Sequence, residues 1–276
     1  MIARLALVFV LVLSALAADT GGDLLAAAHS GDTARVRALL KKGVNLKVAD
    51  ENGKTALIWA AEKGRTEVVR LLLAAGADAH TRDNEGLTAS ELALVSSEGK
   101  SEAILALLPK PPRVRTDVDA VWLPVNMVSS CFESRAELAG TIGSMALDKL
   151  ALDAFTEYAK RAGKDAMEIA RASSEGLKPE AAAGPGADGA AMVALAVRPG
   201  VSCSEQADHL SLAIDVTVTR AAGGPPVLKK TSGGGFTGLH DKTALNPAQY
   251  RPFFEEWAKV HASSIYWEAL RALLRR

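Results

Sequence analysis

Five histidines, two cysteines and one glycine-rich run are the residues here whose types could do chemistry, and their spacing decides which. His29, His80, His209, His240 and His261 are dispersed. No His-Glu-x-x-His and no paired-cysteine spacing occurs, so no metal ligands are expected. Gly-x-Ser-x-Gly is absent, and Ser129-Ser130 beside Cys131 reads as a strand-end loop. "KKTSGGGFTG", Lys229 to Gly238, lacks the Lys-Ser/Thr that follows the last glycine of a phosphate loop, and reads as a turn. His240-Asp241 are adjacent in the chain, which does not make them face one another. The residues therefore point to no catalytic group and no cofactor.

The cysteines depend on compartment. "MIARLALVFVLVLSALAA" has Arg4 as a short positive start, an apolar core from Leu5 to Leu13, and the small-x-small run Ala15-Leu16-Ala17. That is the pattern of a secretory signal, with cleavage expected after Ala17 or Ala18; the alternative is an uncleaved anchor, for which the apolar run is short. Neither a lipid-attachment cysteine nor a twin arginine is present. Outside the cytoplasm, Cys131 and Cys203 are expected to form one disulfide, the alternative being two buried thiols. Closing a loop of about 70 residues stabilises by roughly 4 kcal/mol in the chain-entropy model. Over the 276 residues, 49% are hydrophobic, 23% are charged, and 32 Lys and Arg balance 32 Asp and Glu. A globular, neutral chain gives no electrostatic reason to expect nucleic acid or an anionic membrane as partner.

The elements that would carry a site come from an internal period. Shifted by 33 residues, Gly53-Lys54-Thr55 falls on Gly86-Leu87-Thr88 and Asp50 on Asp83. Likewise "LLAAAHSGDTARVRALLKKGVN" (Leu24 to Asn45) falls on "LIWAAEKGRTEVVRLLLAAGAD" (Leu57 to Asp78). Such a period means stacked units. Ala60-Ala61 are small where two helices approach. Val68, Val69, Leu72 and Leu73 form an apolar stripe, and Gly76 stands where a helix ends with φ > 0. The motif Gly53, Thr55, Leu57, Ala60-Ala61, Gly64, Val68-Val69, Leu72-Leu73, Gly76-Ala77-Asp78 resembles the ankyrin repeat. It departs from the family at Ala56 and Ile58, where proline and histidine are usual. Three units are read: a cap starting at about Asp23, a full repeat, and a degenerate third with two extra residues in "LVSSEGKSEAILALL".

"PKPPRVR", Pro109 to Arg115, breaks the pattern as a stiff connector. The expected organisation is a signal peptide at 1–18, a repeat domain at 19–108, a linker at 109–115 and an α+β domain at 116–276. In the last, Val118 to Val125 reads as a strand. Ser134-Arg135-Ala136-Glu137 reads as a capping box for a long helix ending near Ala162, and Lys164 to Ala172 as a short helix. Gly176 to Gly189 reads as a loop. "AMVALAVR" and "HLSLAIDVTVTR" are strands, the second with Leu210, Leu212, Ile214, Val216 and Val218 on one face and Ser211, Asp215, Thr217 and Thr219 on the other. "PVLKKTS" is a further strand. A last helix from about Phe253 carries Phe254, Trp257, Val260, Trp267, Leu270 and Leu274 as its apolar residues. The fold class expected is a short all-α repeat stack followed by an α+β sandwich with a small, mostly antiparallel sheet. The order of its elements, without any sequence motif, looks like envelope modules of the curli-secretion and TolB amino-terminal kind.

The ankyrin resemblance implies a protein partner, met by hairpin tips and a concave helical face. The matching tip positions are Ala49, Glu51, Asn52 and Lys54, then Arg82, Asn84, Glu85 and Leu87. Trp59, Glu62 and Lys63 lie on the first helix of the full repeat, where a tryptophan can either anchor an interface or pack between repeats. The expectation is a non-enzymatic exported protein that binds another protein in the cell envelope, without stable membrane insertion once the signal is removed. Two alternatives stand beside it. The α+β domain could be an enzyme to which the repeats recruit substrate, or the repeats could plug a toxin as an inhibitor or immunity protein.

Overall fold

The computed structural model describes residues 20–96, 102–122, 126–127, 145–162, 166–174, 190–203, 208–220, 224–239 and 247–275. The expected signal segment, Cys131 and with it the disulfide, the capping box at Ser134 and the Gly176–Gly189 loop lie outside these residues. The chain divides into two compact units, the second running Arg113–Leu273 and the first taking the chain up to Pro112 together with Leu274–Arg276; the break after Pro112 falls inside the expected connector.

The first unit is built of helices α1 (Thr20–Ser30), α2 (Thr33–Lys41), α3 (Ala56–Glu62), α4 (Thr66–Ala74), α5 (Ala89–Ser96) and the single turn α6 (Glu102–Leu105). Helix α3 packs against α1 on one side, α5 on the other, and its own partner α4. This explains why it is apolar nearly all round: Ala56, Leu57, Ile58, Ala60 and Ala61 are all buried. Burying side chains the size of Leu57 and Ile58 contributes roughly 1.5–3 kcal/mol each. The outer helices bury one stripe only, Val36 and Leu39 on α2 and Val68, Val69 and Leu72 on α4. Asp32 caps α2 by accepting from the Arg35 N–H at 2.9 Å. Asp23, expected as the cap of the first unit, instead lies inside the first turn of α1 and pairs with Arg35. Gly43 and Gly76, one repeat apart, take φ of 72° and 88° just past the ends of α2 and α4, the left-handed stop the sequence calls for.

The second unit is a mixed sheet carrying helices α7 (Leu147–Ala162) and α8 (Pro247–Leu274). Its strands are β1 (Val114–Trp122), β2 (Asn126–Met127), β3 (Met167–Ser173), β4 (Ala191–Cys203), β5 (Asp208–Thr219) and β6 (Pro226–Leu239), paired in the order β3-β1-β4-β5-β6 with β2 also on β4. The longest ladders, β4 with β5 and β5 with β6, are antiparallel, whereas β1 pairs with β3 and β4 in parallel. Leu212, Ile214, Val216 and Val218 of β5 are buried as the alternation predicts. Opposite them in register, Lys230 and Ser232 of β6 reach Glu268 and His261 of α8, at 2.5 and 2.7 Å. Tyr158 of α7 accepts from the Trp267 Nε1–H of α8 at 2.9 Å, and Phe155 and Tyr158 flank the buried Tyr266. Both helices therefore cover one aliphatic sheet face.

Several expectations are corrected here. The described part of the expected Lys164–Ala172 helix, from Ala166 on, is not helical. Its alanines and glutamate favour one, but Met167–Ser173 pairs along the edge of β1, and that pairing overrides propensity. β1 starts at Val114, inside the expected connector, where the Val114 N–H donates to Ala166 O at 2.7 Å. The glycine run is no turn but the middle of β6, because a Cβ at Gly233 would stand 2.7 Å from Leu212 O of the neighbouring strand. Thr219 is buried, not on the polar face, since the register shifts between Val218 and Thr219. α8 begins at Pro247 rather than near Phe253, and Val260 is 62% exposed, off the buried stripe of Phe254, Ala258, Ala262 and Ile265.

Two outcomes test this packing. Gly233→Ala is expected to cost about 1–3 kcal/mol in a urea titration, whereas Gly234→Ala, whose methyl would meet only Trp257 Nε1 at 3.7 Å, is expected to be tolerated. Burial also holds the His261 imidazole below its ordinary 6.5. The unfolded chain then takes up the proton first as pH falls, so stability is full above about 6.5 and declines below it. His261→Gln is expected to shrink the drop in thermal midpoint between pH ~7.5 and ~5.5.

Candidate protein-binding surface around Trp59

The surface is built from the turn that precedes α3. Asp50 places one carboxylate oxygen, Oδ1, where it accepts from the Asn52 N–H at 3.0 Å and the Lys54 N–H at 2.8 Å. The tip is closed by the Asp50 N–H donating to Lys54 O at 3.1 Å, and Gly53 supplies the left-handed residue with φ 74°. The other oxygen, Oδ2, accepts from the Trp59 Nε1–H at 3.0 Å. One carboxylate therefore holds both the hairpin tip and the indole.

Trp59 is half-buried. The ring of His29, from α1, meets it edge-on with centroids 4.9 Å apart. Lys54 Nζ lies 4.6 Å and Lys63 Nζ 5.5 Å from the ring centroid, within cation–π range. Lys54 also pairs with Glu62 at 2.6 Å. Arg65 donates from Nε to His29 O at 3.3 Å, tying the turn after α3 back to the preceding unit. The two readings of Trp59 thus meet in one residue: part of the ring packs against the neighbouring repeat and part faces solvent.

The hairpins are fastened to each other. The Asn84 N–H donates to Asn52 O at 2.9 Å, and Asn84 Nδ2 donates to Glu51 O at 2.9 Å. Asn84 therefore spends its amide on the array itself. Ala49, Glu51, Asn52, Arg82 and Glu85 are exposed, Lys54 and Glu62 half-buried, and Lys63 exposed. Arg82 reaches Glu91 at 3.2 Å. Leu87 is fully buried and is struck from the surface set; at this station of the third unit the side chain turns inward, where Lys54 turns out. His29, Asp50 and Arg65 were not singled out from sequence. Asp50 was legible as a turn residue, but nothing in its spacing showed that its second oxygen reaches Trp59.

The third unit shows what the tryptophan supplies. Asp83 repeats the tip geometry, with Oδ1 accepting from the Glu85 N–H at 3.0 Å and the Leu87 N–H at 2.9 Å. Leu92 stands where the second unit has Trp59, and Asp83 Oδ2 is buried without a hydrogen-bond partner.

A second feature of this unit is a cleft of about 290 Å³ bordered by Asn45, Lys47, Asp78 and Thr81. Its polar groups are engaged locally. Asn45 Oδ1 accepts from the Lys47 N–H at 3.0 Å, and Asp78 accepts from the His80 N–H at 2.8 Å and Thr81 Oγ1 at 3.3 Å. Among the described residues no group of three or more His, Cys, Asp or Glu could hold a metal ion, and no helix is long and apolar enough to cross a membrane.

Residues 24–119 match the family model for ankyrin repeats, in three copies; the rest of the second region is unassigned. A comparison with curated proteins found no match. Ankyrin repeats typically bind proteins.

Removing the shared carboxylate by Asp50→Ala frees the Asn52 and Lys54 amides and the indole together. A loss of about 2 kcal/mol is expected in chemical denaturation, at roughly 1 kcal/mol per net hydrogen bond with the exposed ones counting less. Amide exchange at Lys54 is expected to quicken in parallel.

Proposed function

We propose that the ankyrin repeats of this chain bind another protein in the cell envelope, that the chain is exported and non-enzymatic, and that the periplasm of a bacterium is its compartment. The observation that carries the binding reading is Trp59. It is a large aromatic side chain, partly open to solvent and fixed in one pose by Asp50 and His29. An aromatic held in place before binding loses little rotamer freedom on contact, which is why such residues dominate interface energies. Export is supported by the signal-like pattern of residues 1–18. The α+β unit, in this reading, holds the repeats in place or engages a second component.

The test is affinity capture from the native envelope fraction, with the wild-type chain beside Trp59→Ala, the fold of each checked by circular dichroism. A partner retained by the wild type and lost from folded Trp59→Ala is the expected result. Equal recovery by both would move the binding site off the repeats. Recovery of cytoplasmic proteins alone, together with absence of the chain from the envelope, would overturn the export reading.

A further inference from the structure

We propose that the Trp59 surface takes a short acidic segment of its protein partner, one or two carboxylates seated on Lys63 and Arg65. The inference rests on the protein-binding reading above and adds the partner's chemistry to it.

Two exposed cations stand beside the indole without an acid among the described residues. Lys54 lies over the indole, but Glu62 neutralises it at 2.6 Å, and both side chains are about 15% exposed (14% and 15%). Asp50 is turned inward onto the tip amides and the indole N–H. Lys63 is different. It is exposed, with its ammonium 5.5 Å from the Trp59 centroid, and it pairs with no carboxylate among the described residues. Arg65 is likewise exposed and meets a carbonyl, His29 O, rather than an acid. Its stem passes over Gly31, where even a Cβ would lie 2.9 Å from Arg65 Cδ, so glycine leaves the room that lets the guanidinium lie beside His29. Elsewhere in the repeats Arg35 pairs with Asp23, and Arg37 and Arg70 with Glu67, while Lys41, Lys42 and Lys47 are exposed without an ion pair among the described residues but lie over no ring. What sets Lys63 and Arg65 apart is their place beside the half-open Trp59 ring and its His29 neighbour.

Two features limit what can sit there. The hairpin tip of the same repeat carries the exposed Glu51, and the chain as a whole is neutral. A polyanion such as nucleic acid would meet repulsion at the tip and has no basic track to follow. A single acid or an acidic pair in a peptide meets the two cations while its neutral flanks run past Glu51. An Arg-carboxylate contact is also directional, since the planar guanidinium donates N–H bonds to both carboxylate oxygens.

The experiment pans a phage-displayed random peptide library on the immobilised full chain. The enriched pool is then measured against the wild type, Trp59→Ala and the double variant Lys63→Glu with Arg65→Glu, all exposed or half-exposed positions. The expected pool is rich in peptides with one or two Asp or Glu. It should bind the double variant at least tenfold more weakly, and weaken between about 50 and about 300 mM salt as exposed charge pairs do. A pool without acidic excess, or an acidic pool that binds the double variant as well as the wild type, overturns the acidic-segment proposal and leaves the protein-binding reading standing. A pool that binds Trp59→Ala undiminished overturns the surface itself. Failure to enrich any peptide counts against both. A labelled single-stranded oligonucleotide that competes with the pool would replace the acidic peptide by a polyanion.

Discussion

The first unit depends on the close approach of helices α1, α3 and α5, and on the alanines that permit it. Ala27 and Ala28, Ala60 and Ala61, and Ala93 recur at the repeat period and are essentially without solvent contact. Any larger side chain at these stations would push neighbouring inner helices apart, and the loss would be felt along the stack because each helix is a wall for the next. No single helix pair could bury α3, which is apolar nearly all round. The stack is therefore the smallest folding unit, and the hairpins and turns are carried along at fixed spacing.

That spacing makes the surface. His29 and Trp59 come from successive units and touch only because α1 and α3 lie side by side. Arg65 reaches back to His29 across the same seam. The tips are spaced by the same stacking, so that Asn84 can bridge to Glu51 and Asn52 of the preceding hairpin. Tip amides used in this way hold neighbouring hairpins in register. They confer stiffness, while the partly open indole confers area.

Legibility from sequence followed the same division. The helices of the first unit, their glycine stops and their buried alanines could be read because each is a local signal repeated at a fixed period. Trp59 was visible as the one aromatic in a helix of aliphatic side chains and Glu62. Its companions were not, since His29 and Arg65 acquire meaning only after units are stacked. In the second unit β5 was legible through strict alternation of Leu212, Ile214, Val216 and Val218. β3 was not, because an edge strand with alanine and glutamate owes its conformation to the parallel neighbour β1 rather than to its own residues. The Gly233-Gly234-Gly235 run misled for a related reason. Glycine ordinarily marks a turn, but here it admits the backbone of β5, an interaction between residues some twenty apart in the chain.

The comparison of Asp50 with Asp83 bears on why the surface sits where it does. Both aspartates fold their tips with one oxygen, and the other oxygen then needs a donor. In the second unit the donor is the Trp59 indole, which must stand at the rim of the helix to reach it and so leaves part of its ring in solvent. In the third unit Leu92 at the same station is wholly buried, and the Asp83 oxygen has no hydrogen-bond partner. Satisfying the second carboxylate oxygen of the tip and exposing an aromatic edge are thus a single choice, made in one repeat and not in the next. The bond to Asp50 is also what holds the indole in its half-open pose. What distinguishes it is the charge beside it: Lys63 and Arg65 contribute nothing to the Asp50–Trp59 bond, yet both remain exposed there without an acid.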